Sequence, residues 1–225
     1  ARTGLRLDPT FSATKIAWML DAQPGARLRA EMGSLRFGTV DSWLLWNLSG
    51  GQAHATDVTN AARTLLFNLH TMAWDPILLG MFRVPPEVLP AVQDTAADFG
   101  QTEPGLLGAA VPIRALIGNQ QAALAGQGCV QTGLANCSYG TGAFALVNAG
   151  AAVPHSAHRL LATPAWGLNG VAAFALEGAI LNAGTAVAWL RDGLGVLRDL
   201  AERKAMAEAA EESAPVYFVP AFTGF

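Results

Sequence analysis

Apolar residues recur three and four apart through the first part of the chain, in short stretches closed by proline or glycine. The pattern predicts a series of small helices. Ser12 is read as the N-cap of a helix over 13–21, with Ile16, Met19 and Leu20 as its apolar face and Pro24-Gly25 as its stop. Residues 35–39 read as a short strand or turn. Asp41 is expected to cap a helix over 42–48 that ends at Gly50-Gly51. Thr56-Asp57-Val58-Thr59-Asn60 reads as a polar loop leading into a helix over 61–69, and 76–82 and 87–92 as short helices set off by Pro85-Pro86 and Pro90. The texture changes near Pro112. Residues 113–117 read as a buried strand and 120–127 as a helix, and strands follow at 135–138, 144–148 and 171–176. A small-residue helix over 178–192, a charged helix over 197–212 and a buried strand over 216–219 complete an α/β pattern. A division between two domain parts is expected within 126–133, giving 1–127 and 128–225.

Composition narrows the function classes. Of 225 residues, 52% are hydrophobic and 14% charged, and 24 are glycine, which suits an apolar, turn-rich α/β protein with a sizeable core. The net charge of −3 and the lack of basic runs argue against nucleic acid as a partner. No apolar run approaches the roughly 20 residues of a membrane span, and no signal peptide is visible. Cys129 and Cys137, without a CxxC or a His companion, read as small buried residues in a reduced compartment, so a cytoplasmic location is expected. His155 and His158 read as a loop pair, no metal site is expected, and the six tryptophans read as core. The chain runs from Ala1 to Phe225 and stops directly after the turn sequence Pro220-Ala221-Phe222-Thr223-Gly224, which reads as a fragment of a longer polypeptide.

Two segments suggest chemistry. Gly118-Asn119-Gln120 lies between the strand and helix expected on either side, where side chains are held firmly and helix N–H groups favour developing negative charge. As a structural element alone, an Asn-Gln pair there is a helix cap. Gly140-Thr141-Gly142 can offer backbone N–H groups and a hydroxyl to phosphate oxygens, or simply form a tight turn. Gly184 would let a flat ring lie against the backbone, or serve close packing. Together the segments point to phosphoryl transfer, in which the protein chiefly positions groups and stabilises charge.

The segments taken together resemble the FGGY carbohydrate-kinase family. The likeness includes Thr14-Lys15-Ile16-Ala17-Trp18, Phe37-Gly38-Thr39-Val40-Asp41-Ser42-Trp43-Leu44, Thr56-Asp57-Val58-Thr59-Asn60-Ala61 and Gly118 through Leu124. It continues in Tyr139-Gly140-Thr141-Gly142, Leu176-Glu177-Gly178-Ala179, Trp189-Leu190-Arg191-Asp192 and Val219-Pro220-Ala221-Phe222-Thr223-Gly224. Thr39-Val40-Asp41 and Pro220 through Gly224 favour the glycerol kinases over the sugar kinases. The resemblance implies an actin/hexokinase-like ATPase fold of ribonuclease-H-like domains. In it, 1–127 is the distal part of the N-terminal domain and 128–225 the first part of the C-terminal, nucleotide-binding domain. It implies phosphorylation of glycerol to sn-glycerol 3-phosphate with ATP and Mg2+, with glycerol or a similar polyol as the small-molecule partner, and a homo-oligomer.

For single residues, the resemblance puts Asn119 at the position of the catalytic base and substrate ligand, with Gln120 as its polyol-binding neighbour. Thr141 falls at a nucleotide-phosphate contact and Gly184 at a contact near the base. Three positions depart from the family pattern. Asn119 stands for an aspartate, Thr10 for a tyrosine that touches glycerol, and Ala188 for a glutamine that contacts nucleotide. An amide accepts and donates hydrogen bonds but has no titratable base near neutral pH. A catalytically impaired pseudokinase that binds ligand, or a kinase of another polyol or sugar, is therefore the alternative. Gly105 through Ala110 is shorter than the loop through which some members bind fructose 1,6-bisphosphate, so that inhibitor site is not carried over. The family's phosphate-binding hairpin and Arg-Glu substrate pair would precede Ala1, and the rest of its nucleotide domain would follow Phe225.

Overall fold

The computed structural model describes residues 2–197, 199–209 and 217–222. Helices α1 (Ser12–Ala22), α2 (Ala26–Glu31) and α3 (Val40–Leu48) come first. Strand β1 (Ala55–Asp57), helix α4 (Val58–Ala61), a 3-10 turn (Ala62–Thr64) and strands β2 (Phe67–Asn68) and β3 (Ala73–Trp74) follow. Next are α5 (Pro76–Phe82), a second 3-10 turn (Pro86–Val88), β4 (Ala91–Gln93), α6 (Pro104–Leu107) and α7 (Asn119–Gly126). Strands β5 (Ala135–Tyr139), β6 (Ala143–Gly150), β7 (Leu161–Leu168) and β8 (Val171–Ile180) form a four-stranded sheet in the order β5-β6-β8-β7. Helices α8 (Gly184–Asp192) and α9 (Leu200–Ala209) complete the described elements.

The chain divides into two compact units. One comprises residues 1–136 and 146–177, the other 137–145 and 178–225. In the first, Phe11, Ile16, Leu20, Leu65, Leu66, Leu79, Val84 and Val88 form one apolar cluster, and Val58, Phe67, Leu69, Ala162 and Phe174 a second. β1 pairs with β4 in parallel, and β2 with β3 antiparallel. β7 lies at the edge of the four-stranded sheet and runs antiparallel to β8, with its register shifted between Pro164 and Trp166. An edge strand with a bulge tolerates a proline, which has no N–H to give to a ladder.

Several expectations change. Phe11, not Ser12, is the N-cap of α1, and Met19 is half-exposed where an apolar face was expected. Thr39 precedes α3, so Asp41 lies in its first turn and accepts hydrogen bonds from Thr39 and, at 2.7 Å, from Thr56 Oγ1. Residues 35–39 hold no strand. The polar stretch 56–60 is strand and short helix instead of loop, because Asp57 caps α4 through the Asn60 N–H at 3.0 Å. The expected helix over 61–69 is cut at Thr64, whose hydroxyl bonds the Ala61 carbonyl and the Leu66 N–H and competes with helical bonding. Residues 91 and 92, expected as the end of a helix, lie in β4, which pairs with β1. The stretch 113–117 has only an isolated bridge from Ala115 to Ala96, with Arg114 and Ala115 exposed, instead of a buried strand. β8 extends to Ile180, so the small-residue helix starts only at Gly184. Tyr217, Phe218 and Val219 are exposed and outside any strand, and Val216 lies outside the described residues. Trp18 and Trp43 are 70% and 62% exposed, not core, and Cys137 is exposed while Cys129 is buried.

Candidate functional site

In the first unit the site is built around the start of α7. Gly118 precedes the helix with extended backbone (φ −64°, ψ 144°), and Asn119 is its first residue. A Cβ at Gly118 would lie 2.6 Å from Gln121 Oε1, so a side chain there would require the Gln121 amide to shift. Asn119 is exposed. Gln120 Oε1 is buried and meets no hydrogen-bond donor among the described residues. A buried amide oxygen left unpaired costs desolvation energy, about 1–3 kcal/mol by the usual measure, so a group that supplies a donor is favoured there. Gln121, 3% exposed, is fixed from the other side: its Nε2 donates to Thr163 Oγ1 at 3.2 Å and to the Pro164 carbonyl at 3.4 Å, next to the β7 bulge.

Beneath the turn lies a carboxylate that the sequence pattern did not single out. Asp57 is fully buried. It accepts hydrogen bonds from Thr59 Oγ1 at 2.8 Å on both oxygens, from Asn60 N and Nδ2 at 3.0 and 2.8 Å, and from Thr95 Oγ1 at 2.7 Å. Burial pushes its pKa above the ordinary carboxylate value, and the donors from Thr95, Asn60 and Thr59 oppose that rise. The two threonines pass the contact on. Thr59 Oγ1 accepts the Gly118 N–H at 2.8 Å, and Thr95 Oγ1 accepts the Gly167 N–H at 3.0 Å. The available signal was the spacing Asp57-x-Thr59-Asn60, in which one carboxylate caps its own chain turn.

Thr10 is exposed in a turn, with its N–H on Asp8 Oδ1 at 2.7 Å and its carbonyl bound by Lys15 Nζ at 2.9 Å.

In the second unit, Thr141 is exposed between two glycines. The carbonyls of this turn accept the first N–H groups of α8: Gly140 O from Gly184 at 2.9 Å, and Thr141 O from Ala183 at 2.9 Å and Thr185 at 3.3 Å. A Cβ at Gly184 would sit 2.5 Å from Gly140 O, and one at Gly142 would sit 2.6 Å from Ile180 O. Close backbone approach thus explains both glycines. It also occupies the N–H groups of Ala183, Gly184 and Thr185 and leaves Thr141 exposed. Gly184 is exposed and Ala188 half-buried on the same helix, so no long side chain covers that face at these two positions. Trp189 stacks on Phe218 with ring centres 5.6 Å apart.

Comparison with known proteins gives this geometry a context. The model of the FGGY family of carbohydrate kinases, N-terminal domain, matches residues 1–126, and that of the family's C-terminal domain matches 135–225. A glycerol kinase of Alcanivorax borkumensis is 57% identical over 224 residues, covering 100% of this chain and 45% of that protein. One of Thermus brockianus is 55% identical over 224 residues with the same coverage. The chain therefore spans less than half the length of the curated relatives it matches. Among solved structures, Plasmodium falciparum glycerol kinase with ADP superposes with a TM-score of 0.85 at 34% identity, covering 93% of this chain and 42% of that one. A xylulose kinase from Rhodospirillum rubrum gives 0.78 at 20% identity, covering 100% and 46%, a likeness of fold alone. The fold is the actin/hexokinase-like ATPase fold of these kinases, represented by parts of two domains.

Proposed function

Since the chain belongs to the FGGY family of carbohydrate kinases, we propose that it takes part in moving the γ-phosphoryl group of ATP to a terminal hydroxyl of glycerol. The observation that carries the reading is the start of α7, where exposed Asn119 adjoins Gln120 with its buried, unpartnered Oε1. That oxygen is an acceptor awaiting a hydroxyl, which is what a polyol supplies. The reaction forms a bond between the glycerol oxygen and phosphorus and breaks the bond from phosphorus to the β–γ bridging oxygen. The products are sn-glycerol 3-phosphate, ADP and a proton.

In this reading Asn119 accepts a hydrogen bond from the attacking hydroxyl and aims it, but cannot take its proton, which leaves to solvent. Thr10 borders the polyol. Thr141 gives its hydroxyl to the nucleotide phosphates, and Gly184 and Ala188 leave space on α8 for the nucleotide. Among the described residues no group of three or more His, Cys, Asp or Glu is placed to hold a metal ion. Mg2+ bound with the nucleotide would neutralise the charge of its phosphates. We assign 1–127 to the N-terminal domain and 128–225 to the nucleotide-binding domain. A cytoplasmic location and a homo-oligomer are part of the same proposal.

The test is a coupled kinase assay on the full chain and its Asn119→Asp variant. Restoring a base is expected to raise glycerol turnover by about 10²–10⁴-fold. Equal turnover in both proteins, with the parent fully active, would remove Asn119 from the base position. The amide at 119 also favours a second reading, ligand binding without turnover. Glycerol binding by calorimetry in both proteins, with phosphorylation in neither, would select it.

A further inference from the structure

The buried carboxylate under the α7 turn has no direct path to substrate, yet its hydrogen bonds lead to the residue before Asn119. Thr59 has a single hydroxyl proton, and its oxygen lies 2.8 Å from both oxygens of Asp57. The proton is therefore spent on the carboxylate, and the lone pairs face the other way. The Gly118 N–H meets them at 2.8 Å across 59 positions of sequence. On its other side Gly118 is closed in by Gln121, which is itself bound to β7. An ionised Asp57 cannot donate, so it fixes the direction of the Thr59 hydroxyl and leaves only one arrangement for the turn. Thr95 does the same for the Gly167 N–H in β7, the strand that holds Gln121.

We infer that Asp57, acting through Thr59, is a positioning residue that sets the backbone from which Asn119 and Gln120 face the polyol. The inference rests on the reading of Asn119 as the acceptor-side residue. Its chemistry is that of aim: displacement of a reacting group by about 1 Å costs roughly 10²-fold in rate. Thr59 is the place to test it, because Thr59→Val keeps the volume and removes the acceptor, while Thr59→Ser keeps the hydroxyl.

The experiment places each substitution in the Asn119→Asp background of the full chain and measures glycerol phosphorylation. Thr59→Val is expected to lower kcat by about 10- to 100-fold while KM for ATP stays within about twofold, as loss of aim leaves nucleotide binding untouched. Thr59→Ser is expected to recover kcat to within about threefold, since it restores the oriented acceptor. An unchanged kcat in Thr59→Val overturns the inference. So does a loss that Thr59→Ser fails to rescue, because then the methyl packing and not the hydroxyl was needed. If Asn119→Asp shows no glycerol turnover, the proposed function is what fails, and amide exchange by NMR decides the inference separately. Gly118 N–H exchange is expected to quicken by about tenfold in Thr59→Val with a shift of the Asn119 side-chain amide signals, and to stay at the parent rate in Thr59→Ser. Unaltered exchange and an unshifted Asn119 in Thr59→Val overturn it.

Discussion

At the scale of single residues, chemistry was legible where a residue type is rare at its spacing and opaque where burial decides. Asn119 and Gln120 stand out in the sequence as polar groups between apolar segments. The exposure of Asn119 and the buried, unpaired Gln120 oxygen do not, because both depend on what packs around α7. Asp57 looked like a loop residue, yet it is fully buried and accepts from four donor groups. His54 makes the same point with a consequence for pH. Its Nε2 lies 2.7 Å from the Phe37 carbonyl and its ring packs edge-on to Trp46 at 6.1 Å. Burial, ahead of the opposing Phe37 contact, holds its pKa below the ordinary value of 6.5. The folded state thus binds fewer protons than the unfolded chain, and stability falls as pH drops through 6.5 and below. Denaturation midpoints at about pH 7.5 and 5.5 are expected to differ more in the parent than in His54→Gln. An equal loss in both proteins would show that His54 does not carry the effect.

At the scale of elements, those with a local signal came through. Pro76 opens α5 as expected from its place at a helix start, with Asp75 as cap through bonds to the Ile77 and Leu78 N–H groups at 2.9 and 3.3 Å. Asp75 also accepts from Asn68 at 2.7 Å and Arg2 at 2.9 Å. Asp75→Ala removes all four contacts and is expected to lower the melting temperature by about 5 °C. A shift under about 1 °C would deny the cap its role. β7 is the longest of the elements that local pattern missed, along with α2, β3 and α6, for Pro164 and Gly167 break any strand signal. It is held as a strand by β8 and by the Thr95 N–H on the Gly167 carbonyl at 2.9 Å. α8 begins six residues later than expected because Gly178–Ile180 continue β8 and the helix needs the 140–142 turn to bind its first N–H groups. Gly184→Ala pushes a methyl against the Gly140 carbonyl. Proteolysis is expected to cut the second unit faster in that variant, and an unchanged digestion rate would count against the tight fit.

At the scale of the whole molecule, long-range polar contacts join segments that sequence distance keeps apart. Arg63 grips Glu177 with two bonds of 2.7 and 2.9 Å across 114 positions, and the same guanidinium lies over the Phe11 ring at 5.2 Å. Glu177 is 2% exposed and Arg63 30%. Removing one partner strands the other. With the exposure of Arg63 taken into account, Arg63→Met is expected to cost about 2 kcal/mol, and adding Glu177→Leu should return most of it. A double variant no more stable than Arg63→Met would rule out a stranded charge as the cause. The sequence by itself determined the family, the α/β class and the location of the polar turn, because these rest on residue order and on local preferences that each segment carries alone. Only the tertiary structure decided that Asp57 and Thr59 brace that turn and that Gln120 leaves an acceptor open. Burial and hydrogen-bond pairing are properties of neighbours in space, and those neighbours lie tens of residues away along the chain.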